Sequence, residues 1–396
     1  MAAATGVGVG DLAASLVAGA EYGVVLLWAV VLGTVVKLAM AEGVGRWHLA
    51  AETTLLRGWR SLGRWTMVYF GIYVIVWGFS YGAAAMSATA LPLRALVPGV
   101  PFEVWAVLAA LVGFALMWFG RYRLLERVMT ALVGVMFVTV VGTAILVVPD
   151  IPKVVTGLVP RLPQGSFVYT LGLIGGVGGT ITMAAYGYWM RARGWRDRAW
   201  LGVMRVDVTT AYVLTGVFVI AMLIVAGDLL YTAGLDVEGE EGLLALGGVL
   251  AERFGQWARV LFLVGFWATS FTSLLGVWNG VSLFFADFVH TLRGLPEGEG
   301  SGERTPAYRA YVAWLTFPPM LLLFLGKPVQ LIVVYAVLGA LFMPFLAATL
   351  LLLLNSRRIP TSFRNGWLSN TVLGVALVLF VVLCVQKIVQ EVGGLG

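Results

Sequence analysis

The chain has 396 residues, of which 60% are apolar and only 12% are charged. Soluble domains contain about 45–50% apolar and about 25% charged residues, so this composition excludes a water-soluble enzyme, a nucleic-acid-binding protein and a disordered protein. The formal net charge of +6 is typical of arginine-rich cytoplasmic loops in a membrane protein. Because a span needs about 20 apolar residues, the length accommodates about eleven spans at roughly 35 residues per span and loop.

Apolar runs between polar breaks predict an all-α integral membrane protein. The runs lack the alternation of inward and outward side chains that a membrane β-barrel requires. In chain order, the predicted spans are 2–20, 22–45, 65–92, 102–119, 123–149, 167–190, 207–230, 258–285, 308–326, 328–354 and 367–390.

Arginine alternates between the predicted loops. The loops after even-numbered spans carry most of it, at Arg57, Arg60, Arg64, Arg121, Arg123, Arg191, Arg193, Arg196, Arg198, Arg293, Arg304, Arg357, Arg358 and Arg364. Cytoplasmic loops carry an excess of Lys and Arg. The N-terminus is therefore predicted to be cytoplasmic, and the C-terminus, which follows an eleventh span, to lie outside.

Glycine clusters interrupt two of the spans, at 6–11 in the first and at 175–180 in the sixth. Each glycine weakens a helix by about 1 kcal/mol relative to alanine. Close packing of neighbouring helices is one interpretation of such clusters. Because the two spans each begin a set of five, the matched pair instead favours the broken helices of an inverted-repeat transporter, with a binding site between them.

Asp11, which ends the first cluster, is the most informative single residue. A carboxylate within a membrane is costly and indicates function by default. It is predicted to bind a cation or to carry a proton. The alternative, which is compatible with either role, is that Asp11 caps the following helix by accepting the amides of Ala13 and Ala14.

Three stretches resemble the NRAMP family of metal-ion transporters, in a divergent bacterial branch. They are Ala4 to Ala20, Lys37 to Leu56 and Tyr186 to Arg191, the last followed by Gly194-Trp195. The resemblance covers the whole chain in the number and order of spans. It implies a leucine-transporter-type fold with five-plus-five inverted repeats, about 1–149 and 167–354, and one extra helix, about 367–390. It also implies proton-coupled uptake of divalent metals such as manganese and iron.

The chain departs from the family's two metal-binding motifs. Asp-Pro-Gly-Asn of the first broken helix falls on Gly8-Val9-Gly10-Asp11, so that the usual metal-binding Asp is Gly8 and the usual Asn is Asp11. Met-Pro-His of the sixth helix falls on the region 182–185, where Met183 supplies the thioether in one register and Thr182 stands there in the other. Oxygen ligands would then favour a harder ion, closer to magnesium. The predicted site comprises Gly8, Asp11, Gly179, Thr180 and Met183.

Other polar residues within the spans are predicted to lie behind this site. They are Thr272 and Ser273 on the eighth span and Tyr335 on the tenth, where the family has a glutamine near the substrate. Glu42, together with Asp11, is a candidate stop on a proton route. The favoured interpretation of Glu42 and Lys37, near the cytoplasmic end of the second span, is instead a lysine reaching toward the interface and a charge pair across a neighbour.

These observations together predict a secondary transporter of a divalent metal cation, proton-coupled and working by alternating access. An amino-acid or other small-solute transporter on the same fold is the alternative, although an unpaired Asp11 would repel a carboxylate. An enzyme is not expected, and neither is a resident cofactor apart from the transported metal ion and protons. The expected partners are the metal ion and the lipid bilayer of a bacterial plasma membrane, without nucleic acid and with the oligomeric state open.

Overall fold

The computed structural model describes residues 7–119, 122–147, 150–232, 240–295, 302–324 and 328–393, and the regular structure within these ranges is helical. The principal α-helices are α1 Val9–Tyr22, α2 Leu27–Ala51, α3 Leu55–Leu62, α4 Arg64–Leu96, α5 Phe102–Phe119, α6 Tyr122–Leu146, α7 Ile151–Gly157, α8 Phe167–Gly176, α9 Ile181–Ala184, α10 Tyr186–Ala192, α11 Leu201–Ala226, α12 Glu240–Phe254, α13 Gln256–Leu292, α14 Pro306–Leu323, α15 Pro328–Leu354 and α16 Trp367–Gly393.

Each of the eleven predicted spans coincides with one of these helices or, for the sixth, with the series α8 to α10. Among the described residues, eight helical segments are long and apolar enough to cross a membrane. Helices α4 and α13 extend well beyond the predicted runs, to 33 and 37 residues. The first span is represented by α1 alone, since residues 1–6 lie outside the described part. The division into repeats at about 1–149 and 167–354 stays a prediction.

Helices α3, α7 and α12 were not predicted as elements, because they lie in segments interpreted as loops. Helix α3 begins where the Thr54 side chain accepts the Arg57 amide, a common N-cap arrangement. It is amphipathic and turns Trp59 inward, where the ring is fully buried against Phe284 and Phe345.

Four of the five predicted arginine-rich loops lie close together. Arg57 donates to the carbonyl of Leu295, Arg198 to Ala50 and Arg358 to Ser61, so the loops after the second, sixth, eighth and tenth spans contact one another. Two of the loops after odd-numbered spans make contacts elsewhere: the Arg161 carbonyl accepts from Trp28 at the start of α2, and the Ala95 carbonyl accepts from Arg259 at the start of α13. The alternation in the sequence therefore corresponds to separate sets of contacts.

Close contact between α4 and α14 depends on Gly82. A Cβ atom at this position would overlap the carbonyl oxygen of Leu315 and would lie 2.6 Å from Cγ of Pro319. Small residues at such crossings let the helix backbones approach in membrane bundles. The crossing holds α4 against the rest of the bundle, so it also positions Tyr81, the neighbour of Gly82.

We expect Gly82→Val to destabilise the protein by about 1–3 kcal/mol, since the side chain would have to push backbone and proline atoms apart. Gly134→Val is the matched control, because Gly134 lies in α6 with nothing within 4 Å of its would-be Cβ. Thermal unfolding in detergent measures the effect. Equal unfolding temperatures for the two variants would contradict the assigned crossing.

Candidate functional site

The predicted second break is present between α8 and α9. Helix α8 ends at Gly176, and α9 begins at Ile181. Between them, Gly178 and Gly179 have φ angles of +83° and +72°, which side chains with a Cβ adopt only at a cost. The glycines therefore allow the chain to leave the helix, which frees peptide groups within the span.

The described part of the first predicted break is the start of α1. Gly8 is extended and precedes the first helical residue, Val9. A Cβ on Gly8 would lie 2.9 Å from Oγ of Ser273 on α13, so the glycine permits close approach of these two elements. The predicted cluster begins at Gly6, which is outside the described residues.

Asp11 joins the two breaks. Its Oδ2 accepts the amide of Gly8 at 2.7 Å, and its Oδ1 accepts the amide of Gly178 at 3.0 Å. The side chain is only 2% exposed. The expectation that it caps the amides of Ala13 and Ala14 was wrong: as the third residue of α1, Asp11 reaches back to Gly8 and across to the sixth span.

Lys37 is the residue at this site that the sequence interpretation missed. Its side chain is fully buried, and Nζ donates to the carbonyl of Gly179 at 2.5 Å. The interfacial interpretation of Lys37 was therefore wrong. One turn earlier, Gly33 packs directly against the backbone of Ile174, and this contact between α2 and α8 brings the lysine to the break.

Three tyrosines pack beside the two breaks. Tyr212 donates to the carbonyl of Gly178 at 3.2 Å, and Tyr81 donates to the carbonyl of Ser273 at 3.2 Å. Tyr335 of α15 lies against Tyr81, with 5.1 Å between the ring centroids, and Thr180 packs on Gly339 of the same helix. The Tyr212 hydroxyl thus binds a peptide of the second break itself, and the other two tyrosines pack beside it.

The remaining predicted residues divide into two groups. Ser273, Thr180 and Tyr335 lie beside the breaks by the contacts above. Thr272 was predicted to support the site, but its hydroxyl donates to the carbonyl of Ala268 in its own helix, as threonines in membrane helices commonly do. Met183 is buried in α9, one turn after Thr180, whose carbonyl accepts its amide; its role as a ligand stays a prediction.

Glu42 forms ion pairs rather than facing the breaks. Its two carboxylate oxygens lie 3.0 Å from Nε of Arg46 and 3.0 Å from Nε of Arg205. The expected charge pair of Glu42 is therefore confirmed, since Arg205 lies on the neighbouring helix α11. The proton route through Glu42 stays a prediction, and on such a route the two guanidinium groups would be its neighbours.

The side-chain and backbone groups around the breaks that could bind a metal ion present oxygen atoms. Within the described ranges, no group of three His, Cys, Asp or Glu side chains is arranged to hold a metal ion. Carboxylate, carbonyl and hydroxyl oxygens are the groups contributed by Asp11, Gly179 and Thr180. Such ligands suit Mg²⁺, Ca²⁺ and Mn²⁺ better than softer metals.

A second polar network connects α10 to α13. Tyr188 donates to Asp287 at 2.6 Å, and Trp189 donates to Asn279 at 3.0 Å. Asn279 in turn donates to Glu303 at 2.8 Å. Burial raises the pKa of Glu303, an effect that the donated hydrogen bond partly offsets. The network ties the half-helix after the second break to the segment before α14.

Comparison with known proteins gives consistent results. The family model for natural resistance-associated macrophage protein-like (Nramp) proteins matches residues 1–390. The divalent metal cation transporter MntH of Bacillus subtilis is 26% identical over 96% of this chain and 88% of its own length. The crystal structure of a mutant of the Eremococcus coleocola manganese transporter superposes with a TM-score of 0.79 at 17% identity, covering 100% of this chain and 86% of that one.

A more distant match shows how general the architecture is. The structure of MhsT in complex with L-phenylalanine superposes with a TM-score of 0.60 at 13% identity, covering 98% of this chain and 97% of that one. The predicted leucine-transporter-type fold is thereby confirmed. The chain is an integral membrane protein of a transporter family and not an enzyme, and it belongs to the Nramp family.

Proposed function

We propose that this chain is a secondary transporter that moves a divalent metal cation across the membrane by alternating access. The observation that carries the proposal is the arrangement of the second break, where the Gly179 carbonyl already accepts from a cationic group, the Lys37 ammonium. Asp11 contacts the adjacent residue through the Gly178 amide. A buried carboxylate and a half-buried carbonyl at one loop make a suitable site for a cation.

Oxygen ligands make Mn²⁺ or Mg²⁺ the favoured cargo. The ligands we propose are the Asp11 carboxylate, the Gly179 carbonyl, the Thr180 hydroxyl and the carbonyl of Gly8, with Met183 adding a thioether. The names of the similar proteins support a divalent metal, since one is a divalent metal cation transporter and another a manganese transporter.

Alternating access would act through the two breaks. Asp11 bonds to both of them, and Gly8 additionally contacts α13. A metal ion that takes over part of the Asp11 carboxylate would change how α1 and α9 are held against each other. We propose that uptake is coupled to protons, with Asp11 and Glu42 as candidate carriers, and that no resident cofactor is needed.

We further propose a location in a bacterial plasma membrane, with a cytoplasmic N-terminus and a C-terminus outside. The clustering of four of the arginine-rich loops supports this orientation, because arginine-rich loops stay in the cytoplasm. The contacts of Arg57, Arg198 and Arg358 are the basis for this assignment.

Reconstitution into liposomes tests the function. Liposomes carrying a metal-sensitive dye are offered Mn²⁺, Mg²⁺ or an amino acid, with and without an inward proton gradient, beside protein-free liposomes. We expect Mn²⁺ or Mg²⁺ uptake that the proton gradient accelerates. Amino-acid flux without metal flux would overturn the proposal, and metal flux insensitive to the gradient would overturn proton coupling alone.

A further inference from the structure

Lys37 raises a question that metal transport alone does not answer. Its ammonium is fully buried and donates to the carbonyl of Gly179, a proposed metal ligand. A buried charge is expensive unless it is paired and hydrogen-bonded. A basic side chain therefore already occupies the place where the cargo is to bind.

The lysine is held there by several contacts. Gly33, one turn earlier on α2, packs against Ile174 of α8, which fixes the distance from the helix to the break. Nζ also lies 5.6 Å from the centroid of the Phe380 ring on α16, within the range of a cation–π attraction. This placement by α2, α8 and α16 together indicates a built arrangement.

Asp11 and Lys37 bind consecutive residues of one loop. The carboxylate accepts the amide of Gly178, and the ammonium donates to the carbonyl of Gly179. The two side chains therefore hold neighbouring peptide groups of the same loop. The Lys37 ammonium therefore stands where a bound cation would balance the charge of the Asp11 carboxylate.

We propose that Lys37 is a resident cation that the cargo must displace, and that it thereby selects divalent over monovalent ions. The inference rests on the proposed function. A monovalent ion gains no more charge attraction from Asp11 and Gly179 than the ammonium already has. A divalent ion at the same distance gains about twice as much. The larger cost of dehydrating a divalent ion is met by the oxygen ligands that replace its water, so displacement favours divalent over monovalent ions.

Removing the ammonium should strengthen metal binding and weaken this selection. In Lys37→Gln the side-chain amide still donates a hydrogen bond to Gly179, but the charge is lost. We expect the dissociation constant for Mn²⁺ to fall by about tenfold or more. We also expect Na⁺ to compete with Mn²⁺ in this variant and not in the wild-type protein.

The test is Mn²⁺ binding to the purified full-length protein by equilibrium dialysis, in NaCl and in choline chloride of equal ionic strength. Lys37→Arg keeps the charge and is expected to bind as weakly as wild type. Lys153→Gln is the control, since Lys153 is 75% exposed and pairs with Asp150. A folded Lys37→Gln protein that binds Mn²⁺ no more tightly than wild type, or that ignores Na⁺, overturns the inference.

A measurement on the wild-type protein covers the case in which the variants fail to fold. A small amine-reactive reagent should modify Lys37 faster when Mn²⁺ is present, because the metal displaces the ammonium from Gly179. Unchanged modification, in a protein that binds Mn²⁺, overturns the inference and leaves the proposed function standing. If wild type and Lys37→Gln alike bind neither Mn²⁺ nor Mg²⁺, both the inference and the proposed function are overturned.

Discussion

Replacing Asp11 with asparagine is expected to lower kcat/KM for metal uptake by about 100-fold or more. The change removes the charge that would neutralise the cation, and losing one partner of a buried charged contact costs about 2–5 kcal/mol. The amide group also conflicts with its surroundings, because both Asp11 oxygens accept backbone amides, from Gly8 and Gly178. One of those donors would then face another donor.

Metal-dependent fluorescence in liposomes measures this loss. Asp150→Asn is the matched control, since Asp150 is 46% exposed and pairs with Lys153 away from the breaks. We expect uptake by this control at the wild-type rate. Equal uptake by Asp11→Asn and Asp150→Asn would show that the carboxylate between the breaks does not bind the cargo.

The double variant Asp11→Asn with Lys37→Met separates the effect of Asp11→Asn on metal uptake from its effect on stability. In the single Asp11→Asn variant the buried ammonium loses the acid that attracts it, so the protein should unfold at a lower temperature than wild type. Removing the lysine as well should restore part of that stability while uptake stays low. A double variant less stable than Asp11→Asn would contradict the electrostatic pairing of Asp11 and Lys37.

Local patterns in the sequence were sufficient to predict the spans and the breaks. The run 102–119 coincides with α5, because a span is defined by its own apolar length. The second break was predictable because glycines at 178 and 179 carry the needed backbone freedom themselves. These features depend on neighbouring residues, so a local pattern contains them.

Contacts between distant segments could not be predicted in the same way. The amide that Asp11 accepts belongs to Gly178, 167 residues away, and Lys37 meets Gly179 across 142 residues. From neighbouring residues alone, Asp11 was predicted to accept amides of its own helix, and Lys37 was predicted to reach the membrane interface. The close packing of Gly33 on Ile174 brings Lys37 to the second break instead. The chain has 50 glycines, and the sequence does not indicate which helix each of them contacts.

Metal uptake should also depend on the backbone conformation of the second break, as it depends on the Asp11 carboxylate. Gly178→Ala is expected to reduce metal uptake by at least about tenfold, because an alanine at φ +83° is strained by about 1–2 kcal/mol. The added Cβ would also lie 2.5 Å from Cε1 of Tyr212. To relieve both, the loop must turn, which moves the amide that Asp11 accepts and the carbonyl that Tyr212 binds.

Gly172→Ala is the control for this change, because Gly172 lies in α8 with nothing within 4 Å of its would-be Cβ. Alanine in a helix is favoured over glycine by about 1 kcal/mol, so this control should be at least as stable as wild type and should transport normally. Uptake and thermal unfolding are measured for both variants. If Gly178→Ala transports like Gly172→Ala, the backbone conformation of the second break is not needed for function. If Gly178→Ala is less stable and also transports more slowly, the left-handed turn at Gly178 holds the Gly178 amide and the Gly179 carbonyl toward the cation site.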